Sequence, residues 1–316
     1  ESYARRLDSL RRLIGRMADE LAADYRFDAA LSEKLRRDLP ETGMACGGCL
    51  VTAARRGIAL IPRSENAENA ERCIGRVLGS VRVERIDDVT PTWQAAAFAP
   101  APSLGVIYAC ASKPKDGNIV SGDGYSVTGT GSRAVISLCD GSGSGRGASR
   151  LTQTALSLIE NEYRAGFDAG ECVDSVNSFL ASRPGEEFGA MDVVSVDLET
   201  GEADVIKAGS PPTLVFRGDT VTVIGGSSLP VGALETASYS LDRRRLEAGD
   251  YIIMATDGVT DVLRDLPAAA AAALGPNVRK TAESILAAAE KAGPCRDDMS
   301  VLVVRIIPAE SAAQNG

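Results

Sequence analysis

Four acidic positions in this sequence share a context that could support metal-dependent chemistry. Asp140 and Asp257 each close a predicted strand and are each followed by glycine, and Asp123 lies between two glycines in SGDGYS. The pair Asp297 and Asp298 directly precedes the apolar run MSVLVVRII. In antiparallel pairs, the end of one strand lies beside the start of its neighbour. If the strand after Asp297 pairs with the one that ends at Asp257, their carboxylates meet at one sheet edge.

Residues 125–139 predict a β-hairpin, because two alternating runs flank the glycines of GTGS. A turn centred near residues 130–131 would place Asp123 roughly opposite Leu138. Asp123 and Asp140 would then reach the same end of the hairpin, and the four acidic positions would converge.

Converging carboxylates need compensation, because like charges repel and no His stands in their motifs. Mg²⁺ or Mn²⁺ would supply it, since these ions prefer oxygen ligands to thiolates. Two such ions about 3.5–4 Å apart can share a water, lower its pKa and hold a phosphate for in-line attack. Gly141, after Asp140, would leave a backbone carbonyl open to a metal.

The glycine-alternating loop GSGSGRGAS after Asp140 has other interpretations. A P-loop that cradles phosphate would end in Gly-Lys-Ser/Thr, where this chain has Arg-Gly-Ala. A Rossmann fingerprint would need a following βαβ unit. The β-meander predicted further along the chain argues against that interpretation. Each Asp-Gly could also be a plain turn, but that interpretation does not explain four acidic positions in one setting.

The composition of the 316 residues limits the chemistry further. The chain is 44% hydrophobic and 24% charged, which is typical of a globular protein that fills a core. It has no histidine, which excludes Ser-His-Asp and Cys-His mechanisms and any His-ligated metal site. A net charge of −9 argues against a general nucleic-acid surface, and a two-metal nuclease would need basic clusters around the site that are not evident.

The hydropathy of the chain, its first residue and its cysteine content all bear on the cellular compartment. No apolar stretch reaches the ~18 residues that indicate a membrane span, and the chain begins at Glu1 without Met or a signal peptide, so we expect a cytoplasmic fragment. Seven scattered cysteines also suit a reducing compartment. The spacing of CGGC, residues 46–49, matches half a zinc site or a redox pair. Because the chain has no second such motif, we prefer the interpretation that the two glycines simply form a turn and have no metal or redox role.

The first 21 residues carry a heptad pattern that is typical of a coiled-coil seam, with apolar residues at alternating spacings of four and three. These residues are Tyr3, Leu7, Leu10, Ile14, Met17 and Leu21. The pattern predicts a helix that either self-associates or packs on its own domain.

The remaining segments predict layers of strands and helices. Residues 56–86 read as strand, helix and strand, and the prolines of residues 97–103 mark a boundary. Beyond it come hairpin strands, helices over about 147–164 and 168–182, a β-meander from MDVVSVDL to TVTVIG, a helix over 278–292 and a final strand. Helices grouped between hairpin strands predict an α+β fold rather than a parallel sheet.

Six motifs occur in an order that resembles a known family: VSGDGYS, CDGSGSGRGA, GAMDVVSVDLETGEADVIKAGSPPTLVFRGD, SSLPVGAL, GDYIIMATDGV and DDMSVLVVRI. They cover roughly residues 104–307 and resemble the phosphatase region of the stage II sporulation protein E family. These are bacterial members of the metal-dependent, type 2C-like serine/threonine protein phosphatases. The resemblance implies a four-layer αββα sandwich of two antiparallel sheets flanked by helices, with two Mn²⁺ or Mg²⁺ ions between the sheets.

The resemblance also implies roles for single residues. Asp140 would bridge the two metals, and Gly141 would supply a carbonyl ligand. Asp123 would lie in or next to the shell of the second metal. Asp257 would bind one metal, and an acid of the DDMS motif would complete its shell.

The family pattern at DDMS favours Asp297 for that role, with Asp298 as the alternative. Asp140, Asp257 and Asp297 would then form the catalytic set. In the implied mechanism, metal-bridged hydroxide attacks the phosphorus of phosphoserine or phosphothreonine directly, without a phosphoenzyme.

The sequence departs from its relatives beside Asp140. The family commonly has Met where this chain has Ser142, and many eukaryotic relatives have a general-acid His there, whose role Ser142 cannot fill. Those relatives also have an Arg before the first acid to hold phosphate, where this chain offers only Lys113 and Lys115. Lys115 and Ser142 are therefore the candidate substrate-binding residues, and we expect slow turnover that depends on the partner for positioning.

Residues 147–182 resemble the regulatory helix pair that, in this family, joins dimerisation to assembly of the metal site. Gly143 and Gly145 lie in the loop that leads into the first of these helices and are the expected regulatory positions. Rotation of that helix could move Asp140 and Gly141 without disturbing the acids of the other sheet.

The predicted organisation is a dimerising helix over residues 1–39, a small α/β linker unit over 40–100, the phosphatase domain over 101–309 and a tail over 310–316. The expected substrate is, by resemblance, a phosphorylated anti-sigma-factor antagonist in sporulation control. A homodimer is expected through the N-terminal helix or the 147–182 helices, and a longer protein could be membrane-anchored by a region that this chain lacks. The alternative is a non-catalytic, phosphoprotein-binding regulator of the same fold.

Overall fold

The computed structural model describes residues 26–130, 132–183 and 188–309. These residues divide into two compact units after Ser103. The heptad positions 3–21 lie outside the described residues, so the self-associating helix stays a prediction. Within the described ranges, no helix is both long and apolar enough to cross a membrane.

The first unit is built from four strands and two helices. In chain order they are α1 (Ala29–Asp38), β1 (Gly48–Val51), β2 (Gly57–Pro62), α2 (Ala67–Leu78), β3 (Val81–Asp88) and β4 (Trp93–Pro100). The strands form one antiparallel sheet in the order β1-β2-β4-β3. The strand, helix and strand predicted over residues 56–86 are confirmed as β2, α2 and β3.

The helices of this unit have local signals and a shared core. Asp28 and Asn66 cap α1 and α2 with side chains that accept backbone hydrogen bonds from the first helical turn. Both helices pack on the same face of the sheet, and Leu35 and Leu39 at the end of α1 are fully buried there. The described part of the predicted dimerising segment therefore belongs to the core of the α/β unit.

The CGGC motif lies at the edge of this sheet. Gly48 and Cys49 begin β1, so the motif runs into a strand and is not a plain turn. The Cys49 thiol donates a hydrogen bond to the Ser32 carbonyl at 3.2 Å, and burial is the main cause that raises its pKa to about 11. The seven cysteines are free thiols.

The second unit holds two sheets and the helices that cover them. Its elements are β5 (Leu104–Lys113), β6 (Asp123–Thr130), β7 (Arg133–Gly141), α3 (Arg146–Arg164), α4 (Ala169–Ala181), β8 (Gly189–Asp197), β9 (Glu202–Ala208), β10 (Thr213–Arg217), β11 (Thr220–Ile224), β12 (Ser240–Arg245), β13 (Tyr251–Ala255), α5 (Asp257–Thr260), α6 (Leu266–Ala273), α7 (Val278–Ala292) and β14 (Met299–Pro308). One antiparallel sheet has the order β12-β9-β8-β7-β6, and the other has the order β11-β10-β13-β14-β5.

The second unit has four layers. An apolar core that includes Ile136 and Leu302 lies between the two sheets. The helices α3 and α4 cover the outer face of the β7–β8 sheet, and α6 and α7 cover the outer face of the β13–β14 sheet. The predicted α+β fold, an αββα sandwich, is confirmed.

Two details of the strand prediction are wrong. The strands from MDVVSVDL to TVTVIG do not form one meander, because β8 and β9 lie in one sheet and β10 and β11 lie in the other. In addition, β12 has no counterpart among the predicted strands. It is an edge strand with the sequence SLDRRR, and most of its side chains are exposed, so it lacks the apolar alternation of a half-buried strand.

Candidate metal centre

The hairpin of β6 and β7 places two acidic residues side by side. Asp123 pairs directly with Asp140, and the hairpin closes with Thr130 opposite Arg133. The predicted register, with Asp123 opposite Leu138, is wrong by two residues because the turn is centred one residue later. Both acids still stand at the same end of the hairpin.

The other sheet brings its acids to the same place. β13 and β14 pair antiparallel, so Asp257 follows the end of one strand and residues 297–298 precede the start of the other. The two sheets are joined at this end by a hydrogen bond. The Thr256 hydroxyl donates to Asp123 Oδ2 at 3.0 Å.

Asp140 stands between two other carboxyl groups. Burial, followed by the charges of Asp123 and Asp257, raises the pKa of Asp140 to about 9. Burial also raises the pKa of Asp123 to about 6. Asp140 therefore retains its proton near neutral pH unless cations compensate the negative charges around it.

Asp123 has one oxygen without a protein partner. Its Oδ2 accepts the bond from Thr256, whereas its Oδ1 is buried and has no hydrogen-bond partner in the described part of the chain. A buried carboxylate oxygen without a donor is costly. A bound cation would satisfy it.

Asp257 opens the short helix α5, and its environment is acidic. Burial raises the pKa of Asp257, and the negative charges of Asp297 and Asp261 raise it further. The next position requires glycine for steric reasons, because a Cβ at Gly258 would lie 2.2 Å from the carbonyl oxygen of Asp298. This Asp-Gly pair therefore marks a close approach of two backbone segments.

The two adjacent acids of the DDMS motif have different environments. Asp298 is 2% exposed, and its carboxylate accepts backbone hydrogen bonds from Lys115 at 2.7 Å and Gly122 at 2.6 Å. Asp297 is exposed, and its charge acts on Asp257. This arrangement supports Asp297 rather than Asp298 as a metal ligand, because both oxygens of Asp298 already hold the loop between β5 and β6.

The glycines after Asp140 are of two kinds. Gly143 and Gly145 have φ angles of 90° and 77°, which residues with a side chain rarely adopt. Gly141 ends β7, and a Cβ there would lie 2.6 Å from the hydroxyl oxygen of Thr152 in α3. Gly143 and Gly145 thus form the turn into α3, whereas Gly141 permits a close contact; the regulatory role of the first two stays a prediction.

The predicted substrate-binding residues make backbone hydrogen bonds, and the hydroxyl of Ser142 is engaged as well. The Ser142 amide donates to the Phe188 carbonyl at 2.8 Å, and the Ser142 hydroxyl accepts from the Phe188 amide at 3.3 Å. Lys115 gives its backbone N–H to Asp298, and the Lys113 ammonium pairs with an acid of α7. Phosphate binding by the Lys115 or Ser142 side chain stays a prediction.

A groove beside Asp297 contains two cations that the motifs do not single out. It has a volume of about 450 Å³, and its lining includes Gly258, Arg264 and Arg296. Guanidinium groups bind phosphoryl oxygens in a bidentate manner. The position of Arg296 directly before the DDMS motif is the sequence signal that points to it.

The donor set fits a hard divalent cation, because it consists of carboxylates, with the Gly141 carbonyl as a further oxygen ligand in the prediction. The unpartnered oxygen of Asp123 supports this fit. The side chains are not closed around one point, since no three His, Cys, Asp or Glu side chains in the described ranges are grouped tightly enough to hold a metal ion. The residues therefore supply suitable ligands at one location, and the metal centre itself stays a proposal.

The sequence matches one protein family over more than half its length. The model of the family described as stage II sporulation protein E (SpoIIE) matches residues 130–307. Stage II sporulation protein E of Bacillus subtilis (strain 168) is 30% identical over 208 residues, which are 63% of this chain and 25% of that protein. The matched part is about a quarter of the length of the curated relatives.

Solved structures share the architecture. The PP2C phosphatase domain with a fragment of the regulatory domain of SpoIIE from Bacillus subtilis matches with a TM-score of 0.70 and 24% identity, over 96% of this chain and 93% of that chain. The catalytic domain of the serine/threonine protein phosphatase PstP in complex with two manganese ions matches with a TM-score of 0.51 and 18% identity, over 65% of this chain and 99% of that chain. These likenesses show that the second unit has the PP2C phosphatase fold.

Proposed function

The chain belongs to the stage II sporulation protein E family, and we propose that its PP2C-like phosphatase domain hydrolyses phosphoserine or phosphothreonine on a partner protein with two Mn²⁺ or Mg²⁺ ions. One observation carries the proposal. Asp140 meets Asp123 and Asp257, which come from two different sheets, at the shared end of the sandwich.

Charge balance supports the metal centre. The main charges that act on Asp140 are those of Asp123 and Asp257, and both are negative. Buried like charges are tolerated when they are protonated or when cations compensate them. Divalent cations with oxygen ligands would allow the three groups to ionise together.

Each ligand would have a defined place. Asp140, between the other two carboxyl groups, would contact both ions. Asp123 and the Gly141 carbonyl would hold one ion, and Asp257 and Asp297 would hold the other. When bound, such a pair of ions lowers the pKa of a water and neutralises charge on the phosphoryl oxygens.

Positive charge in the groove beside Asp297 supports a phosphorylated protein as the substrate. Arg264 and Arg296 line the groove beside Asp297, where they would attract a phosphoryl group into an otherwise acidic region. Lys115 and Ser142 are further candidates for this task. Family resemblance supports a phosphorylated anti-sigma-factor antagonist as the substrate, and a homodimer through residues 3–21 or through α3 and α4.

The test is phosphate release from serine-phosphorylated casein with Mn²⁺ and with a chelator, comparing the chain with Asp257→Asn. We expect Mn²⁺-dependent release that is lost in this variant. Asp219→Asn is the matched control, because Asp219 is an exposed acid in the turn between β10 and β11. That turn is at the opposite end of the sheet, where Phe216 pairs with Tyr251 at the start of β13, so the control should keep its turnover.

The same experiment decides between the two candidate functions. If the unmodified chain releases no phosphate and calorimetry finds no Mn²⁺ binding, the chain is a non-catalytic regulator. If Asp219→Asn loses turnover as fully as Asp257→Asn, the loss does not report on the acidic site.

A further inference from the structure

Thr152 lies where helix α3 contacts the backbone of the acidic site. It is in the second turn of α3 and is 1% exposed. Its hydroxyl donates a hydrogen bond to the carbonyl oxygen of Gly122 at 2.7 Å. Gly122 is the residue directly before Asp123, so this bond reaches the backbone next to one of the acids.

Three glycines make room for this face of the helix. A Cβ at Gly141 would lie 2.6 Å from Thr152 Oγ1, and a Cβ at Gly124 would lie 2.7 Å from Thr152 Cγ2. A Cβ at Gly122 would lie 2.8 Å from the Cβ of Ala148, one turn earlier in α3. Gly122, Gly124 and Gly141 do not have positive φ angles. They are therefore explained by the close approach of α3 and not by a turn.

The positions of these glycines connect the helix to two acids. Gly122 and Gly124 flank Asp123, and Gly141 follows Asp140. Packed interiors leave little free space, so a shift of the helix face at these contacts must displace the backbone it touches.

Gly122 is also held from the opposite side. Its amide donates to the carboxylate of Asp298 at 2.6 Å, at the start of β14. The backbone before Asp123 is thus held by Thr152 through the Gly122 carbonyl and by Asp298 through the Gly122 amide.

We propose that Thr152 is a positioning residue that sets the Asp123 carboxylate and the Gly141 carbonyl for the same cation. The inference rests on the proposed function, because these two groups are metal ligands there. It adds a specific contact, since one buried hydroxyl of α3 would hold the backbone beside both ligands.

Two substitutions at this position separate the hydroxyl from the shape of the side chain. Thr152→Val keeps the volume but removes the donor, which leaves the Gly122 carbonyl without its hydrogen bond. Thr152→Ser keeps the donor and removes the methyl group that contacts Gly124. If the hydroxyl is the positioning element, the serine variant should restore what the valine variant loses.

Thr281 provides a matched control on the other side of the sandwich. It is also 1% exposed, and its hydroxyl donates to the Ala273 carbonyl at 3.2 Å. It lies in the first turn of α7, near Gly275, whose carbonyl accepts a bond from Tyr251 at the start of β13. This is the end of the sheet away from the acids, so Thr281→Val should destabilise the fold without affecting a metal site.

The experiment is Mn²⁺ titration calorimetry of the full chain, with thermal unfolding of the same samples without metal. We expect Thr152→Val to bind Mn²⁺ about 10–100-fold more weakly, the range typical when a partner of a metal ligand is removed. Thr152→Ser should keep most of the affinity. Thr281→Val should keep the full affinity while its unfolding temperature falls.

The proposal is overturned if Thr152→Val binds Mn²⁺ as tightly as the unmodified chain, or if Thr281→Val weakens binding equally. If the unmodified chain binds no Mn²⁺, the proposed function fails, and amide hydrogen exchange of the metal-free chain then tests Thr152 separately. In that case faster exchange at residues 122–124 in Thr152→Val, but not in Thr281→Val, would support the positioning role. Unchanged exchange would refute it.

Discussion

The carboxylate of Asp298 accepts a hydrogen bond from the backbone amide of Gly122 at 2.6 Å, which ties the start of β14 to the residue before Asp123. The same carboxylate accepts the amide of Lys115 at 2.7 Å. Asp298 therefore closes both ends of the loop between β5 and β6. Its neighbour Asp297 is exposed, and its negative charge acts on Asp257.

This difference predicts that substitution of Asp298 mainly lowers stability, whereas substitution of Asp297 mainly weakens metal binding. Asp298→Ala should lower the free energy of unfolding by about 2–4 kcal/mol, because two amides lose a charged acceptor in a buried place. Asp297→Ala should cost about 1 kcal/mol or less, since the residue is exposed, but it should weaken Mn²⁺ binding. Urea unfolding and Mn²⁺ calorimetry measure the two effects. Equal destabilisation by both substitutions would contradict the assignment.

A buried ion pair between the two sheets of the second unit is predicted to matter for stability. Lys207 and Asp192 pair at 2.5 Å with almost no exposure, and Lys207 also donates to Thr213 at 2.8 Å. Lys207→Met should lower the free energy of unfolding by about 3–5 kcal/mol, because it leaves Asp192 buried without a counter-charge.

The double variant with Lys207→Met and Asp192→Leu is the control for this pair. It should recover most of the unfolding free energy that Lys207→Met loses, since apolar residues can replace a buried ion pair at little cost. Chemical denaturation of the three proteins checks the prediction. A double variant that is no more stable than Lys207→Met would show that the loss does not come from the uncompensated charge.

The stability of the metal-free chain is predicted to fall as the pH rises from about 4 to about 9. Burial and neighbouring charges raise the pKa of Asp140 to about 9 in the fold, against an ordinary value of 3.8. Between these values the folded chain holds a proton that the unfolded chain has released, so higher pH favours unfolding.

Thermal unfolding in a chelator at several pH values measures this dependence. Asp140→Asn should flatten it, because the amide does not titrate, and added Mn²⁺ should reduce the fall in the unmodified chain. A slope that persists unchanged in Asp140→Asn would assign the dependence to other groups.

Asn177 in α4 is predicted to hold the segment between β11 and β12 in place. Its Oδ1 accepts the amide of Gly232 at 2.8 Å, and its Nδ2 donates to the carbonyls of Leu234 at 3.0 Å and Glu235 at 3.3 Å. Asn177→Leu should cost about 2–3 kcal/mol of unfolding free energy by leaving buried groups unpaired. It should also speed amide exchange over residues 231–235.

The neighbouring Ser178 is the control for Asn177, since its hydroxyl donates within the helix, to the Asp174 carbonyl at 2.9 Å. Ser178→Ala should leave the exchange of residues 231–235 unchanged. Faster exchange in both variants would mean that α4 as a whole, and not the Asn177 amide, determines the order of the segment.

Local patterns predicted the strand ends well but not the partners of every strand. The Asp-Gly sites after apolar runs marked where β7 and β13 end, because alternation and glycine act over a few residues. The hairpin register was off by two residues, since a shift of one residue in the turn moves the pairing by two. The edge strand β12 was missed because its pairing with β9 leaves most of its side chains in solvent.

The sequence by itself determined the α+β class, the helices over 147–182 and the set of acids at strand ends, since periodicity and turn residues are local properties. Only the tertiary structure decided which acid of the DDMS motif is buried, and that Thr152 touches the glycines beside Asp123 and Asp140. These contacts depend on how closely two sheets and a helix pack. That distance is set by the volume of the whole core and is not encoded in any single segment.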